Sequence, residues 1–391
     1  MRWLTASVTV FGEAPANVNA GESFVKDASR HEQRVGMSIS SVSSPSTFDS
    51  SRFSDILSRI IGGADLQEAE AYAVMSWVLS GSASPSQIAA LLIALKSKGE
   101  TVEEMSGFVL AMLDVAERVD PGYTVLDTCG TGGDGLRTIN ISTIAAFIAA
   151  GAGAKVCKHG GRSASSLTGS ADLLEELGVT IDLGAEGVSK CIDEVGMGFC
   201  FAPVFHPAMR YAAPVRRELG IPTVFNLLGP LANPALRVRQ LVGVPSLDVL
   251  QKVGQVLSRK GCERAMIVHG DDGMDELSLC APSTVLEITD GGEITHFELY
   301  PPDYGFKLVS PEAIKGGTAR ENADIALSIL AGEKGHYRDS VVLNASAALM
   351  VAGLVDSFED GIELAIGVLD NGDAQRVLDR LVDLSTRLAS A

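Results

Sequence analysis

The densest chemical signal in this sequence of 391 residues is a glycine-rich motif, DTCGTGGDG, at residues 127–135. Its glycines, Gly130 and Gly133 among them, let backbone N–H groups approach a phosphate with no side chain in the way. A helix predicted to open at NIST, residues 140–143, would turn the positive end of its dipole toward the same anion. No Lys-Ser/Thr pair follows the last glycine and the spacing is not GxGxxG. The motif therefore predicts a phosphate site other than a Walker loop or a dinucleotide loop.

A second motif, KHGGRSASS at residues 158–166, places three possible cations, Lys158, His159 and Arg162, beside several serines. A helix is predicted to start near Ser170, just after this motif. In a chain of formal net charge −18, such a cluster indicates a polyanion site. A solvated turn is the alternative interpretation.

Acidic residues follow a predicted strand at residues 265–269, in the motif HGDDGMDELS at residues 269–278. Ligands bind at the carboxyl ends of strands in open α/β sheets, and Mg²⁺ prefers one or two carboxylates together with substrate phosphates and water. Asp275 and Glu276 are adjacent, so they cannot flank a glycosidic bond from opposite faces as the carboxylates of a glycosidase do. The motif therefore predicts a magnesium site.

Arg210, Arg216 and Arg217 lie at near-helical spacing within residues 205–235. One or two of them could face a cleft and pair with a carboxylate, but surface positions fit the spacing equally well. The pattern leaves both interpretations open.

The composition excludes several classes of partner. The chain has 49 Asp and Glu against 31 Lys and Arg, a balance that disfavours nucleic acid and anionic membranes. No apolar run reaches transmembrane length, and the first residues match a signal peptide poorly. The six scattered cysteines show neither CxxC nor metal-ligand spacing, which predicts a cytoplasmic protein with reduced thiols.

The elements that position these residues follow two patterns. Between residues 51 and 120, a short polar residue stands three positions before Glu or Gln at Asp65, Ser84 and Thr101, which predicts three helix starts in a small bundle. From residue 121 onward, short Val/Leu runs alternate with glycine turns and helical stretches, which is typical of a sheet with crossover helices. Residues 1–50 are predicted to be a disordered or accessory extension, and Met37 is a possible alternative start.

Together with the segment QIAALLIALKSKGETVEEM at residues 87–105, these motifs resemble those of anthranilate phosphoribosyltransferases over roughly residues 54–385. The resemblance implies an α/β fold in which a small helical domain is hinged to a larger α/β domain with a central mixed sheet. The helical domain would span residues 51–120, joined by helices from about 190–235, and the α/β domain would span residues 121–391. The resemblance also implies a homodimer that transfers phosphoribosyl from phosphoribosyl pyrophosphate to anthranilate in tryptophan biosynthesis.

Carried over position by position, the resemblance implies a donor site, an acceptor site and a metal site. The residues implied to bind phosphoribosyl pyrophosphate are Gly130, Gly133, Asp134, Thr138, Asn140, Ile141, Ser142, Thr143, Lys158, His159, Gly160, Gly161, Arg162, Ser163, Ala164, Ser165, Ser166 and Ser170. The acceptor would contact Gly130, Gly161 and Arg216. Two Mg²⁺ ions per subunit would be held by Ser142, Asp275 and Glu276. No covalent nucleophile or general base is assigned, because the neutral arylamine is already nucleophilic and needs positioning more than proton transfer.

One position departs from the resemblance. The family usually has asparagine where this chain has Gly161, and that amide contacts the anthranilate carboxylate. Because losing such a contact costs about 1.5–3 kcal/mol, one hypothesis is anthranilate bound differently, or another aromatic or heteroaromatic acid as acceptor. Two further hypotheses are a pyrimidine nucleoside phosphorylase, which the acidic metal pair disfavours, and a non-catalytic relative, which the presence of the loop and metal residues disfavours.

Overall fold

The structure is a computed structural model that describes residues 48, 50–162 and 167–390. The predicted extension at residues 1–50 lies almost entirely outside the described residues. Residues 163–166 of the second motif also lie outside them. Among the described residues, none of the helices combines the length and the apolar character that a membrane span requires.

The first helices form a bundle whose ends are fixed by local capping. Their bounds are α1 Phe53–Ile61, α2 Glu68–Leu79, α3 Pro85–Lys98 and α4 Val102–Asp114. Ser84 accepts the Gln87 N–H at 3.3 Å and the Gln87 side chain accepts the Ser84 N–H at 2.9 Å, so the predicted start of α3 is confirmed. Thr101 and Glu104 form the same reciprocal pair at the start of α4, which is also as predicted.

The predicted start of α2 at Asp65 is wrong. The helix begins at Glu68, where Gln67 and Glu70 supply the reciprocal cap. Asp65 instead accepts a hydrogen bond from Lys98 Nζ at 2.7 Å, and this partner is 33 residues away in the chain. The Asp65 side chain therefore makes a tertiary contact and does not cap the helix.

The rest of the chain builds a sheet and the helices that cover it. The strands are β1 Val125–Gly130, β2 Val156–Gly160, β3 Met197–Phe201, β4 Val238–Gly243, β5 Ala265–Gly270, β6 Ser283–Ile288 and β7 Ile294–Leu299. The helices are α5 Ile141–Gly151, α6 Ser170–Glu176, α7 Ala185–Val195, α8 Ala202–Phe205, α9 Ala213–Leu219, α10 Val224–Leu231, α11 Leu247–Arg259, α12 Ala319–Leu330, α13 His336–Ala352, α14 Phe358–Asp370 and α15 Asp373–Ala389. Short 3₁₀ turns lie at Pro207–Tyr211, Pro301–Tyr304 and Pro311–Ile314.

The sheet is mixed, as predicted. Within the described residues its strand order is β3-β2-β1-β4-β5-β6-β7. Strands β1 to β5 are parallel, and β6 is antiparallel to both of its neighbours. Helices α9 and α10, from the stretch 190–235, pack against α3 and α4 of the bundle, whereas β3 in the same stretch belongs to the sheet.

Both faces of the central strands β4 and β5 are buried, because their alternate residues point into different cores. Leu241 and Met266 belong to the core that includes α5 and α13. Val242 and Ile267, the next residues along the same strands, pack instead with the helices of the bundle. The sheet therefore lies between the helical domain and the remaining helices of the α/β domain, and it packs against both.

Strands β1 and β2 separate toward their carboxyl ends. β1 pairs with β4 along its whole length, but its ladder with β2 is confined to Leu126. Beyond that point side chains bridge the two strands: the Asp127 carboxylate accepts the His159 N–H at 3.1 Å, and Lys158 Nζ donates to a carbonyl of β1. The two predicted phosphate motifs diverge at this opening.

Candidate active site

A cavity of about 570 Å³ lies at the carboxyl ends of β1 and β2, where the sheet meets α9 and α10. It brings together every predicted site residue that the structure describes. These residues are Gly130, Gly133, Asp134, Thr138, Asn140, Ile141, Ser142, Thr143, Lys158, His159, Gly160, Gly161, Arg162, Ser170, Arg216, Asp275 and Glu276. The remaining predicted residues, Ser163, Ala164, Ser165 and Ser166, lie outside the described residues.

The first motif lines the cavity with backbone rather than side chains. Gly132, Gly133 and Gly135 have φ values of 68°, 88° and 73°, which other residues rarely adopt. Gly130 lies so close to the acidic wall that a Cβ there would be 2.4 Å from an Asp275 carboxylate oxygen. The motif needs glycine both for its turn and for this close approach.

The N-terminus of α5 follows the glycine loop and faces the same space. The Ser142 N–H, in the first turn, donates to Glu276 Oε1 at 3.1 Å. The Asn140 side chain, just before the helix, accepts from Asn322 and donates to the Thr168 carbonyl. A helix N-terminus favours anions, so this end of the cavity is suited to a phosphate group.

Asp275 and Glu276 form an acidic wall opposite the glycine loop. The Gly132 N–H donates to Asp275 Oδ2 at 2.7 Å. Burial, reinforced by Asp134, raises the pKa of Asp275 to about 7, and burial reinforced by Asp275 raises the pKa of Glu276 to about 8. Ionising both groups near neutral pH is therefore unfavourable unless a cation compensates the charge.

These two carboxylates fit Mg²⁺. They are hard oxygen ligands, and Ser142, which carries a hydroxyl group, lines the same cavity. The described residues contain no group of three or more His, Cys, Asp or Glu side chains placed to hold a metal. Mg²⁺ does not need such a cage, because substrate phosphates and water complete its coordination.

The second motif supplies one buried cation and one neutral ring. Lys158 is 1% exposed; burial lowers its pKa, while the nearby Asp127 favours the charged form. Burial lowers the pKa of His159 to about 3, and its ring lies 5.1 Å from that of His206. His159 is therefore uncharged at neutral pH and does not act as the cation that its sequence position suggested.

Arg162 and Gly161 differ in how open they are to a ligand. The Arg162 guanidinium donates to Asp172 at 2.9 Å and to Glu175 through two nitrogens. Its positive charge is therefore already paired with acids of α6. A Cβ on Gly161 would have only the Ala202 Cβ within reach, at 3.7 Å. The space beside Gly161 can therefore accommodate a larger side chain or part of a ligand.

Arg216 is the member of the arginine cluster that lines the cavity, whereas Arg217 is exposed. Its guanidinium lies 5.3 Å from the centre of the Phe225 ring, and burial lowers its pKa. None of the described carboxylates lies within ion-pairing distance of it. Arg216 and Phe225 together are suited to an aromatic carboxylate.

Sequence reasoning missed several residues that line or support the cavity. Thr168, Phe225 and Asn226 line it. Beneath it, the Asp127 carboxylate accepts from Asn233 Nδ2 at 2.8 Å and binds the backbone of β2. The segment FNLLGPLANP, which contains Phe225 and Asn233, follows Arg216 closely in the chain, and this proximity is the signal that could have indicated both residues.

Comparisons with known proteins match both parts of the chain. Residues 54–116 match the helical bundle domain of a glycosyl transferase family, and residues 122–375 match the a/b domain of the same family. An anthranilate phosphoribosyltransferase of Symbiobacterium thermophilum is 49% identical over 334 residues, which cover 85% of this chain and 98% of that protein.

Solved structures of anthranilate phosphoribosyltransferases also match this chain. The crystal structure of anthranilate phosphoribosyltransferase from Thermus thermophilus matches with a TM-score of 0.79 and 44% identity, over 85% of this chain and 99% of that one. The Saccharomyces cerevisiae enzyme in complex with phosphoribosyl pyrophosphate and Mg matches with a TM-score of 0.81 and 26% identity, over 87% of this chain and 99% of that one. The yeast enzyme has also been solved with 4-fluoroanthranilate.

Proposed function

The chain belongs to the anthranilate phosphoribosyltransferase family, and we propose that its cavity transfers phosphoribosyl from phosphoribosyl pyrophosphate to the amino group of anthranilate. In this reaction the C1–O bond to pyrophosphate breaks, and a C1–N bond forms with inversion. Pyrophosphate leaves with the bonding electron pair, and the proton of the attacking amine passes to solvent or to the departing pyrophosphate.

One observation carries the proposal: a single cavity is lined by groups that are suited to both substrates. The glycine loop, the start of α5 and the Asp275–Glu276 wall are suited to a metal-bound pyrophosphate. Arg216 lines the same cavity and has no carboxylate partner among the described residues. A carboxylate-bearing aromatic amine bound there would face the phosphoribosyl donor.

The residues of the chain act by binding and orientation. The backbone of the glycine loop and the first turn of α5 hold the leaving pyrophosphate, and Arg216 holds the acceptor carboxylate against Phe225. Two Mg²⁺ ions per subunit, held by Ser142, Asp275 and Glu276, would neutralise the pyrophosphate and so make it a better leaving group. His159 stays neutral, so it can orient a substrate by hydrogen bonding without supplying charge.

The relatives support anthranilate itself, rather than another aromatic acid, as the acceptor. The yeast relative was solved with 4-fluoroanthranilate, and both bacterial relatives are anthranilate phosphoribosyltransferases. The buried acid pair is also unsuited to a phosphorylase that binds free phosphate without a metal, since the carboxylates would repel that anion.

The assembly and surroundings of the enzyme complete the proposal. We propose that the enzyme is a homodimer. In support of this, the helices α1 and α3, which pack together, leave Ile61 71% exposed and Ile93 38% exposed. A monomer in light scattering at micromolar concentration would contradict this. All six cysteines are free, which is consistent with a cytoplasmic location. We place the boundary between the helical and α/β domains at residues 120–121.

The activity is tested by following anthranilate fluorescence with purified full-length protein, phosphoribosyl pyrophosphate and Mg²⁺, in the presence and absence of a chelator. The proposal predicts loss of the anthranilate signal that stops when the metal is chelated, with one pyrophosphate released per anthranilate consumed. Pyrophosphate release with another aromatic acid but not with anthranilate would reassign the acceptor. No consumption of phosphoribosyl pyrophosphate with any amine would overturn the transferase proposal.

Gly161→Asn tests how the acceptor is held. The added side chain has space, and its amide can contact the acceptor carboxylate, so we expect the KM for anthranilate to fall by up to roughly tenfold. Gly161→Ala is the matched control, because it adds a side-chain carbon at the same position without an amide. An unchanged KM and unchanged acceptor preference in Gly161→Asn would show that this position does not contact the acceptor.

A further inference from the structure

We propose that Asn322, which lies outside the cavity, is a positioning residue for the phosphoribosyl pyrophosphate site. It closes a ring of hydrogen bonds that fixes Asn140 at the start of α5. The inference rests on the proposed function, since it assigns the ring to the donor half of that site.

The ring passes through four residues and returns to its origin. The Gly317 N–H donates to Asn322 Oδ1 at 2.7 Å, and Asn322 Nδ2 donates to Asn140 Oδ1 at 2.8 Å. Asn140 Nδ2 then donates to the Thr168 carbonyl at 3.1 Å, and Thr168 Oγ1 donates to the Gly317 carbonyl at 2.9 Å. Each amide uses both its oxygen and its nitrogen, so neither can rotate without breaking a bond.

The ring joins three segments that are distant in sequence. Asn140 precedes α5, Thr168 lies just after the second motif, and Gly317 lies just before α12. Asn140 and Thr168 line the cavity, whereas Asn322 is 2% exposed and acts through them. Asn322 therefore acts as a support behind the two donor-binding motifs.

A second set of contacts joins the residues just after the glycine loop to the segment that contains Gly317. The Gly316 N–H donates to the Arg137 carbonyl at 2.8 Å, and Thr138 pairs with Lys315 in an antiparallel bridge. A Cβ on Gly316 would lie 2.7 Å from the Thr138 carbonyl oxygen and 2.8 Å from Asn322 Oδ1. Gly316 thus allows a close backbone approach that a larger residue would prevent.

Within the part of the chain that the structure describes, the acceptor half of the cavity has no such link. Arg216 and Phe225 lie on α9 and α10, and neither takes part in the ring. Loss of Asn322 should therefore misplace the donor-binding backbone while leaving the acceptor contacts in place. Because small misplacements of binding groups are costly, we expect donor affinity to fall roughly tenfold or more.

The test is donor binding by calorimetry with phosphoribosyl pyrophosphate and Mg²⁺, without acceptor, together with steady-state kinetics. The variants are Asn322→Ala, Asn140→Ala and the double variant. Thr318→Ala is the matched control, since it removes the N-cap of the same helix, α12, without touching the ring.

Asn322→Ala should weaken donor binding and raise the donor KM roughly tenfold, with the anthranilate KM changed less than about twofold. The double variant should be no worse than the worse single variant, because both break one ring. Thr318→Ala should lower the melting temperature but leave the donor KM unchanged. Unchanged donor binding in Asn322→Ala, or additive effects in the double variant, would overturn the inference. Absence of donor binding by the unmodified protein would overturn the proposed function as well.

Discussion

Two groups of carboxylates near the same cavity differ in what surrounds them. Asp127, fully buried on β1, is surrounded by donors: the His159 N–H, Asn233 Nδ2 and, at 3.4 Å, Gln240 Nε2. Burial raises its pKa, while the positive charge of Lys158 opposes that shift. The Asp275–Glu276 pair instead meets other acids, and these add to the effect of burial.

The difference separates a carboxylate whose partners lie within the protein from a pair that we propose binds a metal. Asp127 has its partners within the protein and holds β1 and β2 at their opening. Asp275 and Glu276 each receive a backbone N–H but repel each other, so their environment is incomplete without a cation. Residue type and burial alone would not separate the two groups; their neighbours do.

The largest expected effect comes from Glu276→Gln. The amide keeps the shape of the side chain but is a poor ligand for Mg²⁺, so we expect kcat/KM to fall roughly 10³-fold. Asp271→Asn, an exposed acid in the same loop, should leave kcat/KM nearly unchanged and serves as the control. If Glu276→Gln kept a tenth or more of the activity, Glu276 would not be a metal ligand.

Asp127→Ala should have the opposite profile, with its main effect on stability. It removes the acceptor of the His159 N–H and of one Asn233 N–H, and it removes the carboxylate that most favours the charged form of the buried Lys158. We expect the free energy of unfolding in urea to fall by about 3 kcal/mol. A loss below about 0.5 kcal/mol, within the range of an ordinary surface substitution, would show that the network does not hold the strands.

A further effect, spread over several pH units, is expected in the stability of the metal-free protein. A carboxyl group whose pKa is higher in the folded chain binds its proton more tightly when folded, so stability falls as pH rises. For Asp275 and Glu276 the fall begins near the unfolded values, 3.8 and 4.5, and ends near pH 7 and pH 8. The slope is at most about 1.4 kcal/mol per pH unit for each group.

Urea unfolding between pH 5 and 8.5 with a chelator measures this slope. Glu276→Gln should flatten it and make the metal-free protein more stable than the unmodified chain at pH 8. Identical slopes for the two proteins would mean that Glu276 titrates normally in the folded state.

The sequence predicted what local chemistry decides. The starts of α3 and α4 could be predicted from capping pairs three residues apart. The glycines and acids that line the cavity could be identified because they lie close together in the chain. The start of α2 was missed because Lys98, a distant residue, binds Asp65.

The supports of the site could not be predicted in this way. Asn140 and Asn322 are 182 residues apart, and Asp127 and Asn233 are 106 residues apart. A single asparagine carries no periodic signal, and its role depends on which backbone groups the fold brings within reach. The charge state of His159 likewise depends on burial that its motif does not reveal.

Thermal unfolding with and without Mg²⁺ and phosphoribosyl pyrophosphate, compared among the unmodified protein, Glu276→Gln and Asp127→Ala, tests the distinction between the two groups of carboxylates. At ligand concentrations about 100 times Kd, the unmodified protein should gain about 2.7 kcal/mol of stability. Without ligands, Asp127→Ala should be less stable than the unmodified protein, but it should keep the metal-dependent gain in stability. Glu276→Gln should be more stable than the unmodified protein at pH 8 without ligands, and it should lose the metal-dependent gain. An undiminished metal-dependent gain in Glu276→Gln would contradict the assignment of the acidic wall as the magnesium site.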